Sequence, residues 1–146
     1  MATNAQLILT SGDIAGDPVN VDTGRVLLTK AGSETNDLDQ STGLSRVHLR
    51  SVTNKVLLAA NAEGNDLAAK VYLINKSEDA SLYVTVTINA QTIGKLYGGD
   101  FMFIPWSQTD TAASIEVAAT SWTSSTGDIP IEYALFHEDT DFLTNA

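Results

Sequence analysis

Apolar and polar residues alternate most regularly between Ala69 and Trp106. Within this stretch, large aliphatic residues alternate with Tyr or Thr over 82–88, LYVTVTI. A period of two places alternate side chains on opposite faces of a strand, and β-branched and aromatic residues suit a pleated, half-buried surface. We therefore predict a strand here, flanked by others in an antiparallel meander with short polar turns. The flanking strands are predicted at 70–75, 92–97 and 101–105.

Short apolar runs bounded by polar turns continue through the rest of the chain. They predict strands at 5–10, 18–21, 24–29, 44–52, 55–60, 113–119 and 129–138. Leu7 and Leu9 share one face of the first of these, and Ile115 and Val117 are expected to point into the core. From these eleven candidate segments we expect roughly eight to ten short strands, and no segment shows a sustained helical period, which predicts an all-β fold. We expect a single antiparallel β-sandwich that is jelly-roll-like.

The length of 146 residues suits one domain spanning 1–146. The polar segment 31–43 is expected to form a long surface loop, and the tail 139–146 to be frayed. We interpret Gly98-Gly99 as a tight hairpin turn in which glycine permits a positive φ. Strands at 71–74 and 101–104 are apolar on both faces, so we expect a loop or another subunit to cover their outer faces.

Composition excludes several classes of function. Eighteen acidic against eight basic residues give a net charge of −10, which argues against binding to nucleic acid or to an anionic membrane surface. No cysteine is present, so disulfides, zinc–thiolate sites and cysteine nucleophiles are excluded. The sequence shows neither a signal peptide nor an apolar run long enough to span a membrane.

Candidate chemistry is sparse, and we predict that the protein is not an enzyme. The two histidines are His48 and His137, and no serine lies in a nucleophile-elbow motif. The acidic residues cluster in turns, which does not support paired catalytic carboxylates. Calcium binding by these turns remains an open alternative, although none matches the EF-hand spacing. We expect no catalytic residue, no cofactor and no metal.

Five residues are candidates for contact with a partner. Arg46, His48 and Arg50 share one strand face, which predicts either a solvated face, a docking edge for an acidic partner or an ion-pair ladder between subunits. Trp106 follows Pro105, and Trp122 lies in a Ser/Thr-rich loop. Each tryptophan is interpreted as a contact with the core or with a subunit, with sugar stacking as the alternative.

The chain also resembles a family of proteins. The resemblance is carried by KVYLINKSEDASLYVTVTI, by KLYGGDFMFIPW and by IPIEYALFHE near the C-terminus, which cover about half of the sequence. These segments are similar to those of the small all-β virion structural proteins that tailed bacteriophages encode. The resemblance rests on strands and turns and includes no catalytic motif.

The resemblance implies a β-sandwich that assembles on a virion. We expect a capsid decoration (cement) protein that docks on the major capsid protein as a homo-oligomer, with a trimer favoured. An acidic surface suits the outside of the shell, so we expect the outer capsid surface after synthesis in the host cytoplasm. The alternatives are a carbohydrate- or receptor-binding head, fibre or knob module and a small hydrolase.

Overall fold

A computed structural model describes residues 3–12, 16, 19–28, 38, 40–59, 68–107, 113–125 and 127–137. Of the predicted surface loop, it describes Leu38, which is buried, and 40–43; the rest of that loop and the tail 139–146 lie outside the described residues. In the described residues the chain forms thirteen strands and no helix. It follows that none of these residues belongs to a helix able to cross a membrane.

The strands fall into an N-terminal group and a C-terminal group. The first group is β1 Asn4–Ala5, β2 Ile8–Ser11, β3 Val19–Asp22 and β4 Val26–Leu27. The second group is β5 Gln40–Ser41, β6 Ser45–Leu49, β7 Lys55–Ala59, β8 Ala68–Asn75, β9 Tyr83–Ile88, β10 Gln91–Tyr97, β11 Phe101–Ser107, β12 Ser114–Ala118 and β13 Ile129–His137. Most predicted strands match these elements to within a few residues at the ends. The exceptions are the predicted strand 5–10, which is divided into β1 and β2, and β5, which lies in the segment predicted as a loop.

The second group of strands forms a jelly-roll sandwich. Its antiparallel pairs are nested: β9 pairs with β10, β8 with β11, β7 with β12 and β6 with β13. The nested pairs form one sheet ordered β10-β9-β12-β7 and another ordered β11-β8-β13, with β5 and β6 both beside β13. The nested pairing is the jelly-roll arrangement of antiparallel strands in two sheets. The predicted fold class is therefore confirmed.

The core lies between the two sheets. Val84 and Val86 of β9, both 2% exposed or less, pack with Val117 of β12 and Ile131 of β13. The intervening Thr85 is only half-buried. The alternation that predicted this strand therefore separates a core face from an outer face, and the predicted inward positions in β12 are confirmed.

The hairpin between β9 and β10 closes through two residues, Asn89 and Ala90, with φ of 49° and 65°. Positive φ at both central residues defines a type I′ turn, whose twist matches that of the flanking strands. Asn89 also caps a neighbouring strand, since its Oδ1 accepts a hydrogen bond from Ser114 N at 3.0 Å. This turn connects the innermost of the nested strand pairs.

The predicted four-strand meander is wrong in one respect. The chain crosses from one sheet to the other after β8 and crosses back after β10, so that β8 pairs with β11 while β9 and β10 lie opposite. The crossing depends on Asn75, which is fully buried and donates from Nδ2 to the carbonyls of Leu82 and Leu96. Its Oδ1 accepts from Ser77 N at 2.9 Å. One polar side chain thus joins the end of β8 to both strands of the opposite hairpin.

Gly98-Gly99 accordingly forms the return corner and not a hairpin turn. Gly99 has a φ of 93°, which confirms the predicted positive φ. Gly98 meets a different requirement, because a Cβ there would lie 2.3 Å from the carbonyl oxygen of Asp79. The two corners pack backbone against backbone, and this close approach excludes any side chain.

Candidate protein-interaction surface

The cationic residues of β6 lie on the outer face of the sandwich. Arg46 and His48 are exposed, whereas the intervening Val47 packs against the core. Arg46 forms an ion pair with Glu132 on the neighbouring strand β13. The hydrogen bond from Arg46 lowers the pKa of the Glu132 carboxyl, against a smaller opposing effect of desolvation.

The other end of this stripe is also paired. Arg50 donates to both carboxylate oxygens of Asp128, from Nε at 2.8 Å and from Nη2 at 2.9 Å. This bidentate contact raises the pKa of Arg50. His48 Nδ1 lies 3.8 Å from the same carboxylate. Two carboxylates therefore balance the two arginines, and the ladder of ion pairs lies within one chain.

The two tryptophans occupy different environments. Trp106 is 3% exposed and belongs to a core cluster that includes Val71 and Leu135. Its Nε1 donates to Asn89 Oδ1 at 3.1 Å. This burial leaves its ring no surface to offer a partner, so of the two expected contacts, with the core or with a subunit, Trp106 makes the core contact. Trp122 is half-buried and packs against a second core cluster, the one that contains Val84 and Ile131. Its Nε1 is buried with no hydrogen-bond partner in the described part of the chain.

The N-terminal strands lie outside the jelly roll and form one two-stranded ribbon. β2 pairs with β3, and β1 continues the ribbon by pairing with β4. The register shifts between the two pairings, because Ala5 opposes Val26 whereas Ile8 opposes Asp22. A bulge at 23–25 absorbs the extra residue, with Gly24 at a φ of 62°.

One face of this ribbon is apolar and exposed. Leu9 opposes Val21 and Ser11 opposes Val19, so the aliphatic side chains of both strands alternate onto a common face. They are between 39% and 49% exposed. The opposite face is mixed, with Thr10 beside Asn20 and with Ile8, which is 59% exposed, beside Asp22. We name the first face the ribbon face and define it by Leu7, Leu9, Val19, Val21 and Val26.

The base of the ribbon is anchored to the rest of the chain. Leu28 N donates to Thr3 O at 2.9 Å, and Leu38 N donates to Leu28 O at 3.0 Å. Leu28 and Leu38 are 5% and 1% exposed. The ribbon therefore projects from a packed base, while its far end remains exposed.

The five-stranded sheet also presents an apolar outer face. Phe101 and Phe103 of β11 are 57% and 40% exposed, and Phe103 lies directly opposite Tyr72 of β8. The ring of Phe136 packs edge-on against Phe103, with centroids 6.3 Å apart. These outer positions alternate with buried ones such as Leu73, which confirms that β8 and β11 are apolar on both faces.

A groove of about 560 Å³ separates the ribbon face from this sheet. Its walls include Leu7 and Val26 from the ribbon and Tyr72, Phe101 and Phe103 from the sheet. Binding clefts in proteins typically measure roughly 300–1,000 Å³. The arrangement can therefore accept an apolar segment, and it is the main candidate site in the described part of the molecule.

The acidic turns form no metal-binding cluster within the described residues. No group of three or more His, Asp or Glu there could hold a metal ion. Asp22 and Asp79 cap their own turns, the first through Gly24 N and the second through Ser81 N. Side-chain hydrogen bonds, from Gln6 to Asp22 and from Ser81 to Asp79, lower both pKa values. Asp13 and Asp17 lie outside the described residues.

Sequence reasoning missed the ribbon as a candidate contact surface. It predicted strands at 5–10, 18–21 and 24–29 but did not pair them. The signal was available, because Leu7 and Leu9 on one side and Val19 and Val21 on the other both recur with a period of two. The connection between the two runs, residues 12–18, is long enough for them to pair as antiparallel strands.

Comparison of the chain with protein-family models, with curated proteins and with solved structures found no match.

Proposed function

We propose that the protein is a non-enzymatic virion structural protein, a capsid decoration protein that docks on the major capsid protein as a homo-oligomer, with a trimer favoured. The observation that carries the proposal is the exposed apolar surface formed by the ribbon face and the outer aromatic face of the five-stranded sheet. Exposed apolar patches of this extent mark surfaces that bind other proteins. The resemblance of the strand segments to phage virion proteins supplies the class of partner.

The fold supports the same function. Jelly rolls recur in viral capsid and lectin domains, and their two antiparallel sheets offer broad faces to neighbouring molecules. A rigid sandwich loses little conformational entropy on docking, so more of the contact energy appears as affinity. Repetition over a symmetric lattice then multiplies weak individual contacts by avidity.

Charge supports a place on the outer capsid surface, after synthesis in the host cytoplasm. The net charge of −10 would be repelled by packaged DNA, whereas outside the shell it favours solubility. The paired arginines of β6 leave no surplus of positive charge on the stripe that they form. We therefore place contacts with other proteins, whether subunits or capsid, on apolar surface and not on the Arg46–Arg50 stripe.

Purified virions provide the test. Mass spectrometry of particles should detect the chain in stoichiometric amount, and cryo-electron microscopy should show jelly-roll density on the outer surface at lattice symmetry points. Particles stripped of the protein should disrupt at lower temperature, and adding back the purified protein should restore them. Particles that lack the chain, or that are unaffected by its removal, would contradict the proposal.

A carbohydrate- or receptor-binding module is the second candidate. It is favoured by the aromatic lining of the groove, where Tyr72, Phe101 and Phe103 converge, because sugar rings stack on aromatic faces. A glycan array with the purified protein decides the matter. Specific binding that Phe103→Ala abolishes would favour this candidate over decoration.

A further inference from the structure

We infer that the groove between the N-terminal ribbon and the outer sheet face is filled by the ribbon of a second copy of this chain. The inference rests on the proposed function and deepens it, because it names the surface through which the subunits of the homo-oligomer join. Each copy then offers a ribbon to one neighbour and a groove to another. Such a head-to-tail contact closes into a ring when the rotation between copies permits.

The ribbon needs a partner for its own stability. A two-stranded antiparallel ribbon is marginally stable in water unless a further strand or another packed surface covers it. Here the base is anchored through Leu28 and Leu38. The far half, with Leu9 at 47%, Val19 at 49% and Val21 at 39% exposed, remains uncovered.

The exposed apolar area sets the strength that we expect of this contact. A fully exposed aromatic side chain presents roughly 150–250 Å², and Leu and Val present somewhat less. The ribbon face together with Phe101 and Phe103 therefore leaves roughly 500 Å² of apolar side-chain surface. This area is shared between the two copies, with the ribbon face on one and the phenylalanines on the other, so it amounts to about a third of the ~1,600 Å² that a standard interface buries in total. We therefore expect a weak, concentration-dependent contact that repetition around a ring of copies reinforces.

Charge selects a second copy as the occupant. The whole chain carries a net charge of −10, so two copies repel each other over most of their surfaces. The ribbon face and the walls of the groove contain no charged side chain. This is a surface on which two identical acidic molecules can meet without burying like charges, and it lacks the cationic side chains that would recruit an acidic partner.

The two halves of the contact are complementary and lie on the same chain. The ribbon face supplies aliphatic side chains on a narrow, two-stranded element. The groove supplies aromatic walls at Tyr72, Phe101 and Phe103 and is wide enough to remain open in a single copy. Burial of aliphatic side chains against aromatic rings is favourable and requires no polar partner.

Sedimentation velocity of the full chain tests the inference directly. We expect the natural protein to form a concentration-dependent oligomer and the double variant Leu9→Lys/Val21→Lys to be monomeric. The charge must be buried without a partner, so the dissociation constant should rise roughly a hundredfold or more. The matched control is Val52→Lys/Val56→Lys, at residues 56% and 47% exposed but outside the surface, which should leave the oligomer intact.

Lysine is chosen because it lowers the net negative charge, so loss of the oligomer cannot be attributed to greater repulsion between copies. A natural chain that is monomeric at every concentration, or control and test variants that behave alike, would overturn the inference.

Cysteine pairing provides a second test, which does not depend on whether the lysine variant folds. The chain has no cysteine of its own, so a Leu9→Cys chain mixed with a Phe103→Cys chain should form a disulfide-linked heterodimer on mild oxidation. Val56→Cys replaces Leu9→Cys in the control mixture. Equal yields of disulfide-linked heterodimer in the two mixtures, or cross-linking that requires capsid particles, would contradict the inference.

The two proposals fail separately. A chain that oligomerises through the ribbon but never binds particles contradicts the decoration function alone. A chain that decorates particles while Leu9→Lys/Val21→Lys leaves its oligomeric state unchanged contradicts the ribbon contact alone.

Discussion

Asn75 is a buried polar side chain whose hydrogen bonds join the two sheets. Replacing it with alanine leaves the carbonyls of Leu82 and Leu96 without the donor that they have in the core. Each unsatisfied buried carbonyl costs about 1–3 kcal/mol. We expect Asn75→Ala to lower the free energy of unfolding by about 3–5 kcal/mol, as measured by urea denaturation.

Exposed asparagines provide the control for this prediction. Asn20 and Asn54 lie on the surface, so their replacement with alanine should change stability by less than about 0.5 kcal/mol. Asn75→Asp should be at least as damaging as Asn75→Ala, since it places a carboxylate against two carbonyl oxygens. If Asn75→Ala behaved like Asn20→Ala, the account of this corner would be wrong.

The environments of the two tryptophans predict losses of different size for the same substitution. Trp106→Phe removes a hydrogen bond to Asn89 and leaves a gap in the core, which should cost about 1–2 kcal/mol. Trp122→Phe also removes volume, but it deletes a buried N–H that has no partner in the described residues. We expect the second variant to be nearly neutral and at least about 1 kcal/mol more stable than the first.

Thermal and urea melts of the two variants, followed by circular dichroism, make this comparison. Equal losses would show that ring volume and not hydrogen bonding decides both sites. The sequence placed both tryptophans correctly as core or contact residues but could not separate them. Their difference depends on Asn89, which is seventeen residues from Trp106 and reaches it only through the fold.

At the scale of elements, the corner between β10 and β11 depends on the absence of a side chain at Gly98. A Cβ would lie 2.3 Å from Asp79 O and 2.8 Å from Ser77 O, both backbone atoms that cannot move independently. We expect Gly98→Ala to destabilise the protein by about 3 kcal/mol through overpacking of the two corners. Equilibrium unfolding in urea measures the loss.

Gly94 in β10 is the matched control, because a Cβ there meets nothing within 4 Å and its φ is not positive. Gly94→Ala should be neutral or slightly stabilising, since alanine restricts the unfolded chain. A destabilisation at Gly94 as large as that at Gly98 would mean that close approach is not the cause.

The ion pair between β6 and β13 predicts a pH dependence of stability. The pKa of Glu132 is lowered from its ordinary 4.5 in the folded protein, chiefly by the hydrogen bond from Arg46. Its contribution is therefore fully present above the unfolded pKa and is lost as the pH falls through the lowered folded pKa. Glu132→Gln should thus reduce stability at pH 7, and the difference from the natural protein should shrink as the pH drops below about 4.5.

Arg46→Gln should remove the same pH-dependent difference, and the double variant should show no further change in the profile. Both outcomes are read from melting temperatures across pH 3–7. A difference that persists undiminished at pH 3 would assign the effect to packing and not to charge.

The elements themselves were largely predictable, whereas their arrangement was not. A period of two identifies a strand wherever one face is buried, which is why β9, β12 and β13 were located correctly. A six- or seven-residue polar turn, however, suits either a hairpin or a crossing between sheets. The sequence KSEDASL did not distinguish the two, and the difference lies in where the side chain of Asn75 finds its partners.

At the scale of the whole molecule, the jelly roll leaves the first four strands outside its sheets. The ribbon that they form buries leucines at its base and exposes aliphatic side chains along its length. A sequence pattern reports which residues share a face but not whether the covering surface belongs to the same chain. The sequence therefore predicted the strands of the ribbon but did not indicate that their shared face is a candidate contact surface.

The balance of charge and apolar surface predicts how salt acts on assembly. If copies meet through the uncharged ribbon and groove while repelling each other elsewhere, screening should strengthen their association. Between ~0.1 M and ~1 M salt the Debye length falls from about 10 Å to about 3 Å, which removes most of the repulsion between exposed charges. Sedimentation velocity at the two salt concentrations should show a larger oligomeric fraction at high salt. Dissociation by salt would instead mean that ion pairs hold the copies together, and Arg46 and Arg50 would then exchange their intramolecular carboxylates for those of a neighbour.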